Sequence, residues 1–153
     1  MLITNKNESL DRVQTERHLI FQWNKSNFAV SINYVKEVME YTNPTPLPNY
    51  PNLLCGIISF RGEICPVLDL RSIFPKDMNK TIQPSKLIVI QLQGFKAAFD
   101  VDKLCGVHNI FVDETHLLTN QDILTITFKS EQYEGSIVNI PNLWTLLTKL
   151  IQR

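Results

Sequence analysis

Gly56-Ile57-Ile58-Ser59-Phe60-Arg61-Gly62-Glu63-Ile64-Cys65-Pro66-Val67-Leu68-Asp69 is the densest apolar stretch of the 153-residue chain, and its reading decides the fold class. Two runs rich in β-branched and other apolar residues flank Arg61-Gly62. Gly62 supplies the positive φ that a tight two-residue turn asks for, so the stretch predicts a β-hairpin. Pro66 has no N–H to give a ladder, which places it at a sheet edge or a bulge. Asp69 then stands where it can cap a short helix over Leu70–Phe74.

Working outward, Thr42–Pro51 holds four prolines in ten residues and predicts an extended crossing loop. Before it, Ile32, Val35 and Met39 recur at helical spacing, predicting one or two turns that carry Glu37. His18–Trp23 and Phe28–Ser31 read as strands around the turn chemistry of Asn24-Lys25-Ser26-Asn27. Residues 1–17 are polar and aperiodic and predict a flexible lead-in, leaving 18–150 as the folded domain. Residues 75–85 predict a polar loop, and Leu87–Ile90 begins the strand after it.

The second half echoes the first. Phe28–Val38 aligns without gaps on Ala97–Val107, an offset of 69, and Val67–Phe74 aligns on Ile137–Trp144, an offset of 70. Both pairs share one plan: an apolar strand, a short polar residue able to cap, then a helical turn ending on an apolar side chain. Two matches at nearly one offset predict two similar small β units. Neither half has enough apolar material for a core of its own, so their interface is predicted to be apolar.

Composition excludes several classes. Fifteen Lys/Arg balance fifteen Asp/Glu, without the basic face of a nucleic-acid binder. The three cysteines, Cys55, Cys65 and Cys105, make an odd count without a CxxC pair, which argues against a disulfide framework and for a reducing compartment. No apolar run approaches the roughly 18 residues of a membrane helix, and the N-terminal stretch lacks the apolar centre of a signal peptide. Catalytic constellations are thin. Cys105 and His108 could be imagined as a thiol–imidazole pair, but no third group orients them. Asp113-Glu114-Thr115-His116 matches no metal-ligand spacing, and Asp100-Val101-Asp102 lacks the glycine and further oxygens of a calcium loop. No catalytic residue, metal or cofactor is expected.

The ordered elements Phe28-Ala29-Val30, Val35-Lys36-Glu37-Val38, Pro46-Leu47-Pro48 and Gly56 through Arg71 resemble the CheW-like domain family. That family shows V-x-E-V, a proline-containing crossing, then G-(V/I)-x-x-x-R-G-x-x-x-P-(V/I)-x-D-L-R. The resemblance implies a mainly β fold of two interleaved, five-stranded, SH3-like β-barrel subdomains packed across a hydrophobic seam, with short helices. It also implies a cytoplasmic, non-enzymatic adaptor recruited to membrane-associated receptor arrays. Its partners would be the regulatory domain of a CheA-type histidine kinase and the cytoplasmic tip of methyl-accepting chemoreceptors, with no nucleic acid and no membrane insertion. Carried across by position, Val35 and Glu37 fall where the family contacts receptors and kinase. Arg61 and Gly62 fall on its receptor-coupling turn, Gly56 opens the same motif, and Leu87 and Val89 would line the seam. Ser59-Phe60 replaces the usual Asn-Leu, Ala98 a usual glycine, and Asp100 a usual apolar residue. The alternatives are a CheW-like scaffold of a type IV pilus or surface-motility pathway and, from another class, a small nucleic-acid-binding β-barrel.

Overall fold

The computed structural model describes residues 15–49, 51–73, 83–112, 123 and 126–151. Most of the expected lead-in, most of the 75–85 loop, Phe74, the loop after Val112 and the Asp113–His116 group lie outside them. The described residues form β1 (Thr15–Trp23), β2 (Ser26–Ser31), β3 (Val35–Glu40), β4 (Leu54–Phe60), β5 (Glu63–Leu68), β6 (Lys86–Leu92), β7 (Phe95–Val101), β8 (Lys103–Val112), β9 (Ile126–Lys129), β10 (Glu134–Ile137) and the helix α1 (Ile140–Ile151). Two 3-10 turns, Ile32–Tyr34 and Leu70–Ile73, follow β2 and β5. Thr15–Arg17, read as lead-in, already belong to β1.

The helix expected over Ile32–Met39 shrinks to one turn. Ser31 Oγ accepts the Asn33 N–H at 3.3 Å and starts it, but from Val35 the chain pairs with β6, Val35 opposite Ile90 and Glu40 opposite Lys86. The β-branched Val35 and Val38 suit that ladder, and tertiary pairing overrides a short helical period. Glu37 therefore sits on a strand. In the other direction, the terminal helix is longer than the single turn expected. Asn139 Oδ1 accepts the Asn142 N–H at 2.9 Å, Pro141 lies in the first turn, and Ile140, Leu143 and Leu147 face the core.

Three hairpins turn on residue pairs that both have positive φ: Asn24-Lys25, Arg61-Gly62 and Gln93-Gly94. These are the mirror-image turns whose twist matches that of paired strands. The first and third lie 69 positions apart, in keeping with the sequence repeat.

The strands form two five-stranded sheets of identical order. One closes as a barrel, β1-β2-β10-β9-β8; the other runs β3-β6-β7-β5-β4. Shifting each strand by five places in chain order turns one sheet into the other, so the halves are exchanged: each sheet takes two strands from one repeat and three from its partner. Local chain length forces this. In the barrel, β8 lies beside β1 and runs parallel to β2; for β3 to take that place, the chain would have to return the length of a strand. A parallel return needs about a dozen residues or more, and only Ile32–Tyr34 are available. The chain passes straight into the other sheet, and at Asp102 it does so again. The equivalence reaches single bonds: Val67 is opposite Ala98 as Ile137 is opposite Ala29, and Asp69 N–H donates to Leu53 carbonyl (2.6 Å) as Asn139 N–H does to Ile123 (2.7 Å).

Alternation along these strands divides the apolar residues among three cores. Ile20, Ala29, Phe128 and Ile137 fill the barrel, and their repeat counterparts Val89, Ala98, Ile58 and Val67 fill the second sheet. Between the sheets lies the largest core, with Phe21, Trp23, Phe28 and Phe99 packed ring to ring. Leu87 and Val89, expected to line this seam, are fully buried on the other side of β6, inside the second sheet. Their neighbours Ile88 and Ile90 line the seam instead. The side-chain period of a strand is two, so a reading one residue out exchanges interior for seam.

One cluster breaks the repeat. Arg71 Nη2 lies 2.6 Å from Asp102 Oδ1 and 3.3 Å from Asp100 Oδ1, all buried, with the guanidinium 6.0 Å from the centre of the Trp23 ring. Asp102 Oδ2 also accepts the Asn24 N–H at 2.8 Å. Asp100 is thus the counter-charge of an arginine whose repeat counterpart is Pro141. Arg71→Ala is expected to cost about 3–5 kcal/mol, because two buried carboxylates would lose their partner; urea denaturation measures it.

His18 is the counterpart of Leu87, buried in the barrel wall with Nδ1 3.3 Å from the Glu16 carbonyl and His108 directly opposite on β8. Burial lowers its pKa, outweighing the raising effects of the carbonyl and of Glu16. Below about 6.5, the ordinary histidine value, the unfolded chain therefore binds more protons than the folded one. The contribution of His18 to stability is complete above that pH and is lost as pH falls through the lowered folded value. His18→Leu should flatten the stability–pH profile in this range.

Candidate partner-docking site

The β4–β5 turn carries the most prominent cation of the second sheet. Arg61 lies in the left-handed region with φ 50° and its side chain is 68% exposed. Its Nε–H donates to Glu37 Oε1 at 3.1 Å, and Nη2 reaches the same oxygen. Glu37 is delivered from β3, where it stands opposite Val89. Beneath the pair, the buried Phe60 ring is approached by Arg61 Cζ at 5.7 Å and by Lys96 Nζ at 5.9 Å. Lys96 is also 3.3 Å from Glu63. Exposed pairs of this kind contribute about 0–1 kcal/mol to stability. Their effect is mainly to orient side chains on a rigid turn.

The Arg61–Glu37 pair bridges the open edge of the second sheet. In the barrel, β8 pairs with β9 and closes the ring; the counterpart strands β3 and β4 share no ladder. The crossing loop substitutes for it, with Thr45 N–H donating to the Ile57 carbonyl at 2.8 Å and Ile57 N–H to Thr45 at 2.9 Å. Gly56 makes this approach possible: a Cβ there would lie 2.3 Å from the Thr45 carbonyl oxygen, and φ is +154°. Because the Ile57 backbone groups point to the loop, Pro66 opposite it directs its nitrogen away from β4. That direction faces β7, whose ladder with β5 starts only at Val67. The missing N–H of Pro66 therefore leaves no bond unmade, although Pro66 is not at the sheet edge or in a bulge as expected: β5 lies between β7 and β4, and Pro66 pairs in register with Ile57.

On the outer face of the same hairpin, opposite the interior residues Ile58, Cys65 and Val67, an apolar groove of about 570 Å3 opens. Leu47 of the crossing loop, Ile57, Ile64 and Pro66 of the hairpin, and Leu147 and Leu150 of α1 line it, with the seam residues Leu53 and Leu68 at its floor. Ile64 is 74% exposed. The groove is the surface mouth of the inter-sheet seam, and Glu37, Arg61 and Gly62 are not among its lining residues.

Of the residues singled out in the sequence, the structure brings together Glu37, Arg61 and Gly62. Val35 is half-buried against the seam core, and Gly56 supports the site from within. Leu87 and Val89 have no exposed surface. Ile57, Ile64, Pro66, Leu47 and Leu150 were not singled out, although alternation around Pro66 places Ile57 and Ile64 on one face. The imagined thiol–imidazole pair is not made: His108 Nε2 is 2.9 Å from the backbone carbonyl of Cys105. Burial pushes the Cys65 thiol up, away from the reactive thiolate. Asp100 and Asp102 hold Arg71, and among the described residues no cluster is suited to a metal ion. Among the same residues no helix is long and apolar enough to cross a membrane.

Two interleaved five-stranded sheets sharing a seam, with an Arg-Gly turn tied to a strand glutamate, define a two-lobed β scaffold. The family model of the CheW-like domain matches residues 17–150, and the chain belongs to that family. It is 26% identical over 99 residues to the chemotaxis protein CheW of Bacillus subtilis, covering 65% of this chain and 64% of that protein. It is 37% identical over 92 residues to the chemotaxis protein CheW of Rhizobium meliloti, covering 60% and 59%. The chain thus matches somewhat less than two thirds of the length of these curated relatives. The fold is similar to that of the scaffolding protein TtCheW from Thermoanaerobacter tengcongensis, with a TM-score of 0.67 and 24% identity over 81% of this chain and 84% of that one.

Gly56→Ala should break the Thr45–Ile57 bridge and cost about 1–3 kcal/mol through overpacking. Faster amide exchange at Ile57 than in wild type would report the loss.

Proposed function

We propose that this protein is a cytoplasmic, non-enzymatic adaptor that couples transmembrane chemoreceptors to a CheA-type histidine kinase in bacterial chemotaxis. The observation that carries the reading is the exposed Arg61-Gly62 turn tied to Glu37, on a fold belonging to the CheW-like family whose β4–β5 hairpin also opens an apolar groove on its outer face. In this reading the groove receives the apolar tip of the receptor's helical hairpin, with Ile64 and Leu150 as apolar contacts and the arginine as orienting charge. Arg is favoured at such anchors because its rigid fork combines charge with a stacking face. Val35 and Glu37 on β3 contribute to the receptor and kinase contacts. Leu87 and Val89 act from the interior, by fixing the curvature of the second sheet. Binding two partners at once raises their effective concentration for each other, so each contact needs only micromolar strength, about −8 kcal/mol.

Calorimetric titration with the kinase regulatory domain and with a soluble receptor tip tests the reading. Saturable micromolar binding to both is expected; absence of binding to both removes the coupling function. Arg61→Glu should stay folded, since an exposed turn charge costs under about 0.5 kcal/mol, and should weaken receptor-tip binding at least tenfold. Wild-type affinity in the folded variant would remove Arg61 from the site.

A further inference from the structure

Neither half of the chain contains a complete sheet. The ladders β1–β8, β2–β10, β3–β6 and β5–β7 all join residues of the first half, 15–73, to residues of the second, 83–151. The seam core draws on both halves, and Arg71 of the first finds its carboxylates on Asp100 and Asp102 of the second. The covalent link between the halves is the single segment 74–82.

We propose that the chain exchanges halves with a second copy of itself. In the dimer, β1–β5 of one copy are completed by β6–β10 and α1 of the other, and the reverse pairing forms alongside. Every ladder, the seam and the buried Arg71 cluster reform unchanged, so monomer and dimer differ only in which chain the segment 74–82 leads to. This is the condition under which exchange of an element is a low-cost route to a closed dimer. The balance is set by the effective concentration of one half about its own partner, of about millimolar order for a short link. Folding at high concentration then favours exchange. Once folded, the two forms interconvert only through unfolding, because four ladders must open together. The exchanged dimer carries two Arg61–Glu37 turns and two grooves on one body.

The test uses two full-length chains with different affinity tags, unfolded together in guanidinium and refolded at about 1 µM and about 3 mM, either side of the expected balance. Size-exclusion chromatography with light scattering gives the mass. Monomer is expected at the low concentration. At the high one a dimer is expected, about half of it bearing both tags, with amide spectra matching the monomer away from 74–82. A variant lacking Lys76–Asn79 should shift the low-concentration product toward dimer; if it does not fold, refolding of the natural chain decides alone. Monomer at both concentrations overturns the proposal. So does a two-tag dimer that forms on mixing folded chains, since that would be association through the surface.

Discussion

Three residues separate β2 from β3 and one separates β7 from β8, and neither connection can return the chain to the sheet it leaves. From this shortage of length the rest follows. Each repeat must send its last three strands into the sheet begun by the other, and both sheets acquire the same order. The strands β1, β2, β6 and β7, which stay in the sheet they begin, carry apolar residues on both faces, one set for the sheet interiors and one for the seam. Burial on two faces explains near-continuous apolar runs such as Leu87–Ile90, where an ordinary one-sided strand would alternate with polar residues.

The candidate site lies where the repeat is least symmetric. The barrel is sealed by hydrogen bonds between β8 and β9, whereas the second sheet is held at its open edge by the Thr45–Ile57 bridge and by a solvent-exposed ion pair. Gly56 permits the bridge, Pro66 tolerates it, and the Arg61-Gly62 turn ends the same hairpin. Structural glycine and proline therefore sit next to exposed charges within a single motif. The charges add little to stability, so they are available for recognition without loss of the fold.

Much of the architecture was legible in the sequence because its signals are local. The Arg61-Gly62 turn, the proline-rich crossing and the offset of 69–70 each follow from a few neighbouring residues. What was not legible depended on pairing across the chain. Ile32–Met39 looked helical because Ile32, Val35 and Met39 share a spacing that a strand can also carry. Leu87 and Val89 were placed in the seam because all four apolar residues of Leu87–Ile90 are alike in type, and only the ladder with β3 and β7 fixes which pair points inward. The role of Asp100 was hidden for the same reason: its arginine is 29 positions away. Within the site, the turn arginine was legible and its attachment to Glu37 was not. The groove needed the fold, since α1 and the crossing loop meet the hairpin only in three dimensions.

The exchanged strands also constrain how such a molecule changes over generations. In a protein of two independent lobes, a gene segment can be altered to serve one binding face while the other is left alone. Here each half of the gene encodes parts of both lobes, so a substitution in β2–β3 or β7–β8 is transmitted to both. The halves differ most consequentially where one lobe has a feature the other lacks, as at Arg71 against Pro141 or His18 against Leu87.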